Sequence, residues 1–218
     1  MSGEVELGCR CGEIHGLLCG VAPSDVNRVI CYCDDCQAYL HQLGRADLFD
    51  AHGGTEIVQV APSSVAFDKG AAHVVGLRLA PKGLYRWYAH CCKTPLGNTL
   101  SPTLPFIGMP LEIFRGAPDP QRRDEIFGQL RGGVFSKFAI GGIPKGLPQV
   151  GLGHFARALQ LMVGWKIHGR TWPHPFFDRA AKGPRHPVTI LTREERELLR
   201  AKCGPSPTVP SHTGTVTA

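Results

Sequence analysis

A mainly β protein with a helical extension, of the α+β class, is what the sequence predicts, on three observations. Residues 5–115 hold five or six short β-rich runs punctuated by Gly or Pro turns. The chain contains 27 glycines and 18 prolines, which favours many turns and short strands over a helical bundle. The longest helical periodicity and the one capping box both fall beyond Pro110. At 218 residues the chain fits one ordinary domain plus an extension. The domain is placed at 5–115, a basic, mostly helical extension packed on it at 116–203, and a disordered Pro/Ser/Thr/Gly tail at 204–218.

Residues 5–30 read as two strands joined by a turn around Cys9-Arg10-Cys11-Gly12, where the glycine permits tight folding. Cys19 stands alone beside leucines and reads as a small core hydrophobe, and His15 as an ordinary strand histidine. Arg28-Val29-Ile30 is a short strand leading into Cys31-Tyr32-Cys33-Asp34-Asp35-Cys36. Gln37 to Gly44 fits one or two helical turns closed by the glycine. Strands follow at Thr55–Val60, Val65–Gly70, His73–Leu79 and Leu84–Tyr88, the last running straight into Cys91-Cys92. Asp124 to Leu130 reads as a short helix and 132–151 as a loop without a Walker A pattern. Leu152, Phe155, Ala156, Leu159, Met162 and Val163 follow the amphipathic template, a stripe expected to dock on the β domain. Thr192-Arg193-Glu194-Glu195 opens a last helix ending near Lys202, and Cys203 reads as a free thiol without function.

The net charge of +6 is uneven: residues 1–114 carry 8 Lys/Arg against 11 Asp/Glu, and residues 115–218 carry 16 against 7. Such asymmetry suits either a solvated helical face or an anionic partner. No RNP-type aromatic motif or paired-histidine finger is present, which argues against nucleic acid. No run approaches the roughly 18 apolar residues of a membrane helix, so no membrane partner is expected. The acidic start lacks the features of a secretory signal, and a reducing, cytoplasmic setting follows.

Seven of the nine cysteines lie in three tight clusters. Spacings of this kind suit a tetrahedral ion such as Zn²⁺, with Zn–S near ~2.3 Å. Disulfides compete, but neighbouring thiols in C-x-C and C-C reach the ~90° dihedral of an unstrained bridge only with difficulty. Cys31, Cys33 and Cys36 form a three-thiolate set with no obvious fourth member. Its open position suits water or an incoming thiol, which makes these residues catalytic candidates. The competing reading is a closed structural site with a distant fourth ligand, for instance His41, His73 or Cys92, and chemistry alone leaves the two level. Cys9 and Cys11 join Cys91 and Cys92 as the other candidate set, provided that the chain bends sharply at the adjacent pair.

With these motifs the sequence resembles the family of glutathione-dependent formaldehyde-activating enzymes and centromere protein V. That family has a zinc-binding β-tent fold and the pattern C-x-C-G, then C-x-C-x-x-C, then aromatic-C-x-x-C-G-x-x-L. Cys9-Arg10-Cys11-Gly12 matches the first element and Cys31-Tyr32-Cys33-Asp34-Asp35-Cys36 the second. The third departs: Cys92 falls on the second cysteine, Ala89 on the first and Lys93 on the glycine, leaving Cys91 or His90 as the substitute donor. The resemblance implies a structural zinc on Cys9, Cys11 and Cys92. It implies a catalytic zinc on Cys31, Cys33 and Cys36 whose free position accepts a thiol such as glutathione.

The expectation is thus a zinc-dependent, carbon–sulfur lyase-like enzyme holding one or two Zn²⁺. It acts on a small-molecule thiol adduct such as S-hydroxymethylglutathione, with glutathione as co-substrate. Arg86, Lys93 and Asn98 are pocket candidates, ordinary surface roles being the competing reading. The alternative function is a non-enzymatic, zinc-stabilised binding module whose basic C-terminal half contacts a protein or nucleic-acid partner.

Overall fold

A computed structural model describes residues 3–205, apart from the side chains of Leu152 and His154. The strands are β1 (Gly3–Gly8), β2 (His15–Val21), β3 (Asn27–Cys31), β4 (Thr55–Val60), β5 (Val65–Lys69), β6 (Val74–Arg78), β7 (Tyr85–Ala89), β8 (Pro95–Thr99), β9 (Ile107–Pro110), β10 (Gly133–Val134), β11 (Phe177–Asp178), β12 (Gly183–Pro184) and β13 (Val188–Ile190). The helices are α1 (Asp34–Leu43), α2 (Pro120–Phe127), α3 (Leu152–Ile167) and α4 (Arg193–Arg200). An antiparallel sheet β1-β2-β5 faces an eight-stranded sheet of order β10-β3-β4-β9-β8-β7-β6-β13, and β11 pairs with β12. The protein is therefore mainly β with α-helices, as the turn-rich composition and strand runs predict.

Side-chain alternation divides the large sheet into two faces. Val58 and Val60 of β4 and Val74 of β6 enter the main core with Leu7 and Leu18 of the smaller sheet. Ile57 turns the other way, toward Cys31 and Cys36, and Leu77 of β6 packs under α1 and α4 with Tyr39, Leu40 and Leu199. The thiol triplet thus lies on the face opposite the main core. In that core Trp87, stacked on Phe176 at 4.9 Å, is fully buried, and each such ring contributes roughly 1.5–3 kcal/mol.

Several expectations are corrected. Strands β8 and β9 went unforeseen, because Pro95, Gly97, Gly108 and Pro110 interrupt the β pattern; Pro95 is tolerated as the first residue of its strand. Helix α1 begins three residues earlier than expected, with Cys33 as its N-cap, and ends on a left-handed Gly44. Helix α2 also starts early, at Pro120 behind the N-cap Asp119. Residues 116–203 are less than half helical, with α-helices of 8, 16 and 8 residues. They also complete the sheet: β10 and β13 pair in parallel with β3 and β6 and form both of its edges. Phe176 and Phe177 are wholly buried in the main core, so no break in packing occurs at residue 115.

The stripe on α3 is corrected too. Its buried side centres on Trp165, with Leu161 and Met162 half-buried, whereas Phe155, Leu159 and Val163 point outward. The stripe's first member, Leu152, has its side chain outside the described residues. The bulk of Trp165, beyond the template, decides which side docks, and Arg157 and Arg170 anchor it through the carbonyls of Ser24 and Gly20. Cys19 is half-exposed, its thiol 3.8 Å from Glu4, and is no core residue. The expected tail lies outside the described residues save Gly204 and Pro205, and Gly204 is buried with its N–H on Gln37 Oε1 at 2.7 Å.

The capping box on α4 forms as read: Thr192 Oγ1 accepts from Glu195 N at 3.2 Å and Glu195 Oε2 from Thr192 N at 2.7 Å. The helix holds α1 in place through Leu199, an Arg196–Asp35 pair at 3.2 Å and an Arg200–Asp34 pair. Thr192→Ala is expected to lower stability by about 1 kcal/mol in denaturant titration. A midpoint equal to that of the wild type would show the box to be idle.

Candidate metal centres

Among the described residues, two groups of metal-ligating side chains have their donor atoms within 4.8 Å of one another: Cys9, Cys11, Cys91 and Cys92, and Cys31, Cys33 and Cys36. All nine cysteines are free thiols. Within the clusters the closest sulfurs stand 3.3 to 3.5 Å apart, far beyond the ~2.05 Å of an S–S bond. A tetrahedral zinc ion spaces its sulfurs about 3.8 Å apart, so both donor sets fit such an ion in chemistry and in scale.

The four-thiol set joins two turns. Between β1 and β2, Gly12 N donates to Cys9 O at 3.0 Å and Ile14 N to Cys9 Sγ at 3.2 Å, which curls Cys9 and Cys11 around one point. Between β7 and β8, Lys93 takes a left-handed φ of 57° and its N–H bonds Ala89 O at 2.8 Å. That is the sharp bend the adjacent cysteines require, and Lys93 holds the backbone shape that suits the glycine of the resembled pattern. Cys91 Sγ lies 3.3 Å from Cys11 Sγ and 3.9 Å from Cys92 Sγ, so the fourth thiol is Cys91, and the His90 ring is not part of the group. Arg10 N on Thr94 Oγ1 at 2.9 Å locks the turns together. Burial opposes ionisation of Cys92, but the Thr94 hydroxyl and the backbone N–H groups of Cys11 and Thr94 outweigh it and bring the thiol down to about 6.

The triplet sits where β3 feeds α1. Cys31 ends the strand, Cys33 caps the helix by accepting from Cys36 N at 3.3 Å, and Cys36 lies in the first turn. The helix N-terminus favours negative charge there. Hydrogen bonds from Cys31 and Cys33, with the Arg86 guanidinium, hold Cys36 well below the usual thiol range, while Cys31 is pushed up chiefly by Cys33 and Cys36. One thiolate is thus already favoured in the set.

None of the three distant fourth ligands considered reaches the triplet. His41 packs edge-on against Phe49 at 5.2 Å, His73 lies 4.0 Å from Glu13, and Cys92 belongs to the other group. His15 is tied to Asp68 at 2.7 Å on the surface. Beside the triplet opens a cavity of about 400 Å³, lined by the three cysteines, Arg86, Asn98 and a largely apolar wall that includes Val29, Ile57, Phe106, Val134 and Phe138. A larger cavity of about 490 Å³ borders residues 47–56 and 110–123. It has no cysteine in its lining, and its carboxylates are committed: Asp47 and Glu112 to Arg45, Glu56 to Arg28, Asp50 to Tyr32. Of the two, the smaller is the one that the thiols line.

Arg86 and Asn98 line that cavity at 1% and 5% exposure, which corrects the reading of ordinary surface roles. Arg86 Nη1 lies 3.6 Å from Cys36 Sγ and 3.4 Å from Asn98 Oδ1. Its Nη2 has no hydrogen-bond partner, and the Asp35 carboxylate lies 3.9 Å from it. Lys93 is elsewhere, its ammonium 5.3 Å from the centre of the Tyr88 ring. Sequence reasoning missed the cover of the cavity, Val134 to Phe138, because it belongs to a glycine-rich stretch read as plain loop. The only available signal was Val134-Phe135 followed by Phe138, three large apolar residues with no periodicity of their own. Cys203 is held by Asp34 O at 3.4 Å and Leu199 O at 3.3 Å, outside both clusters.

No curated protein matches this chain. A family model matches residues 1–188, the greater part of the molecule, and spans both thiol clusters and the cavity. The chain belongs to the family described as "Family of unknown function (DUF6151)".

Proposed function

We propose that the protein is a zinc-dependent, carbon–sulfur lyase-like enzyme acting on a small thiol adduct such as S-hydroxymethylglutathione, built on a β-tent domain. One observation carries the reading: Cys31, Cys33 and Cys36 converge on a cavity with no fourth protein donor among the described residues. A three-ligand site leaves a position for substrate, whereas the Cys9, Cys11, Cys91 and Cys92 set is closed and suits a structural ion. When bound at the triplet, zinc supplies the Lewis acidity that lowers the pKa of an incoming thiol.

The chain's own residues do the rest. The apolar wall excludes water around the adduct. Arg86 Nη2, lacking a hydrogen-bond partner, donates to the adduct oxygen. In cleavage the C–S bond breaks with its electron pair on sulfur, the O–H proton passes to Asp35, which lines the cavity, and the C=O bond of formaldehyde forms. Lys137, also lining the cavity, offers a cation to a carboxylate of a tripeptide thiol. Thiol chemistry of this kind fits the reducing conditions of the cytoplasm.

Exchange NMR on glutathione with labelled formaldehyde tests the reading. The wild-type chain is expected to accelerate interconversion of adduct and free thiol, and Cys33→Ser to lose about 10²-fold or more of that rate. A metal-loaded wild type no faster than buffer sinks it. Steeply salt-dependent nucleic-acid binding without retention on glutathione would favour the zinc-stabilised binding module instead.

A further inference from the structure

We infer that the outer face of α3 is a docking surface for an anionic lipid bilayer, with the helix lying in the headgroup plane rather than crossing it. Phe155, Leu159, Val163 and Ile167 recur every fourth residue and so form one row along the helix. They are 54%, 58%, 48% and 75% exposed. Four large apolar side chains in register on one face are unlike the scattered exposed apolar residues of an ordinary surface. The opposite side of the helix is fixed to the body by Trp165 and Arg157, and the chain just beyond its end by Arg170, so the row is held outward by packing.

Charge selects the occupant. From residue 126 to residue 177 the chain has no Asp or Glu, and exposed cations stand at both ends of the helix: Arg131 beside Gly151 and Gly153, and Lys166 next to the row's last residue. A second copy would set these cations against each other with no carboxylate on the helix to offset them. Four half-exposed side chains also offer only a few hundred Å² a side, below the ~800 Å² per partner of a stable interface. An anionic bilayer needs no such area: apolar side chains enter the acyl boundary by ~5–10 Å while basic residues meet lipid phosphates. None of the described helices is long and apolar enough to cross a membrane, which agrees with a surface placement.

Co-sedimentation of the full chain with vesicles tests this. Partition onto phosphatidylglycerol-containing vesicles is expected to exceed that onto pure phosphatidylcholine by about tenfold or more and to weaken as salt rises. The pair Leu159→Glu and Ile167→Glu should abolish the gain without moving the melting temperature. If that pair disturbs the helix, Leu159→Gln with Ile167→Gln should still lower partition severalfold. Equal partition onto both vesicle types, or variants that bind like wild type, overturns the proposal. So does a wild-type dimer in velocity sedimentation that the Glu pair converts to monomer, since a second copy would then cover the row.

Discussion

Cys92→Ser is expected to remove one zinc ion per chain and to lower the stability of the whole protein by several kcal/mol. The thiols of Cys9 and Cys11 stand at the β1–β2 turn and those of Cys91 and Cys92 at the β7–β8 turn, some eighty residues further on. Closing a loop of that length removes conformational freedom from the unfolded chain, and the binding energy of a structural ion is folding energy. Apparent values for such ions run to ~10–16 kcal/mol in small zinc peptides, so even a fraction of this rivals the roughly 5–15 kcal/mol that holds a domain folded. Elemental analysis with guanidinium titration, before and after chelation, checks it. Cys203→Ser, outside both clusters, should stay within about 0.5 kcal/mol of wild type. Cys91→Ser ranks the donors: its thiol is pushed up by burial and by Cys11, whereas that of Cys92 is brought down to about 6. Cys92→Ser with full metal content and an unmoved midpoint would refute the closed site.

The contrast between the two clusters explains how much was legible in the sequence. Cys31, Cys33 and Cys36 lie within six residues, so a strand end and one helical turn bring them together, and spacing alone reveals the group. The pairing of Cys9 and Cys11 with Cys91 and Cys92 depends on the β1–β2 and β7–β8 turns being neighbours. That is a property of the fold, which the sequence offered only as a grouping of the remaining clustered thiols. Which of His90 and Cys91 joins the cluster turned on one left-handed residue, Lys93, whose identity gives no hint of its φ. Strand Thr55–Val60 was readable from β-branched alternation, and the middle of β3 from the run Arg28-Val29-Ile30. Strands β8 and β9 were not, because tertiary pairing overrides the Pro and Gly within them. The α3 stripe misled in the same way. Periodicity shows that a helix has an apolar face, but only the packing of Trp165 shows which face meets the body.

Arg86→Met is expected to weaken the triplet's hold on zinc and to abolish adduct exchange, while Arg86→Lys restores the first far better than the second. A divalent ion on three thiolates leaves one net negative charge, and the Asp35 carboxylate lies near it. At 1% exposure, Arg86 is the buried cation in contact with this group, its Nη1 3.6 Å from Cys36 Sγ. Methionine fills much of the same volume without the charge, and stranding buried charge costs about 3–5 kcal/mol. Competition with a chromophoric chelator should therefore show at least a tenfold loss of affinity at one site and none at the other. Lysine brings the charge back as a point without the planar fork, so it cannot offer one nitrogen to Asn98 while turning another toward the adduct oxygen. Under the proposed function the two atoms would have separable roles: Nη1, 3.6 Å from Cys36 Sγ, toward the thiolates, and Nη2, without a hydrogen-bond partner, toward the substrate. Equal recovery of metal affinity and exchange rate in Arg86→Lys would reduce Arg86 to a counter-charge. Unchanged behaviour of Arg86→Met on both measures would remove it from the site's chemistry altogether.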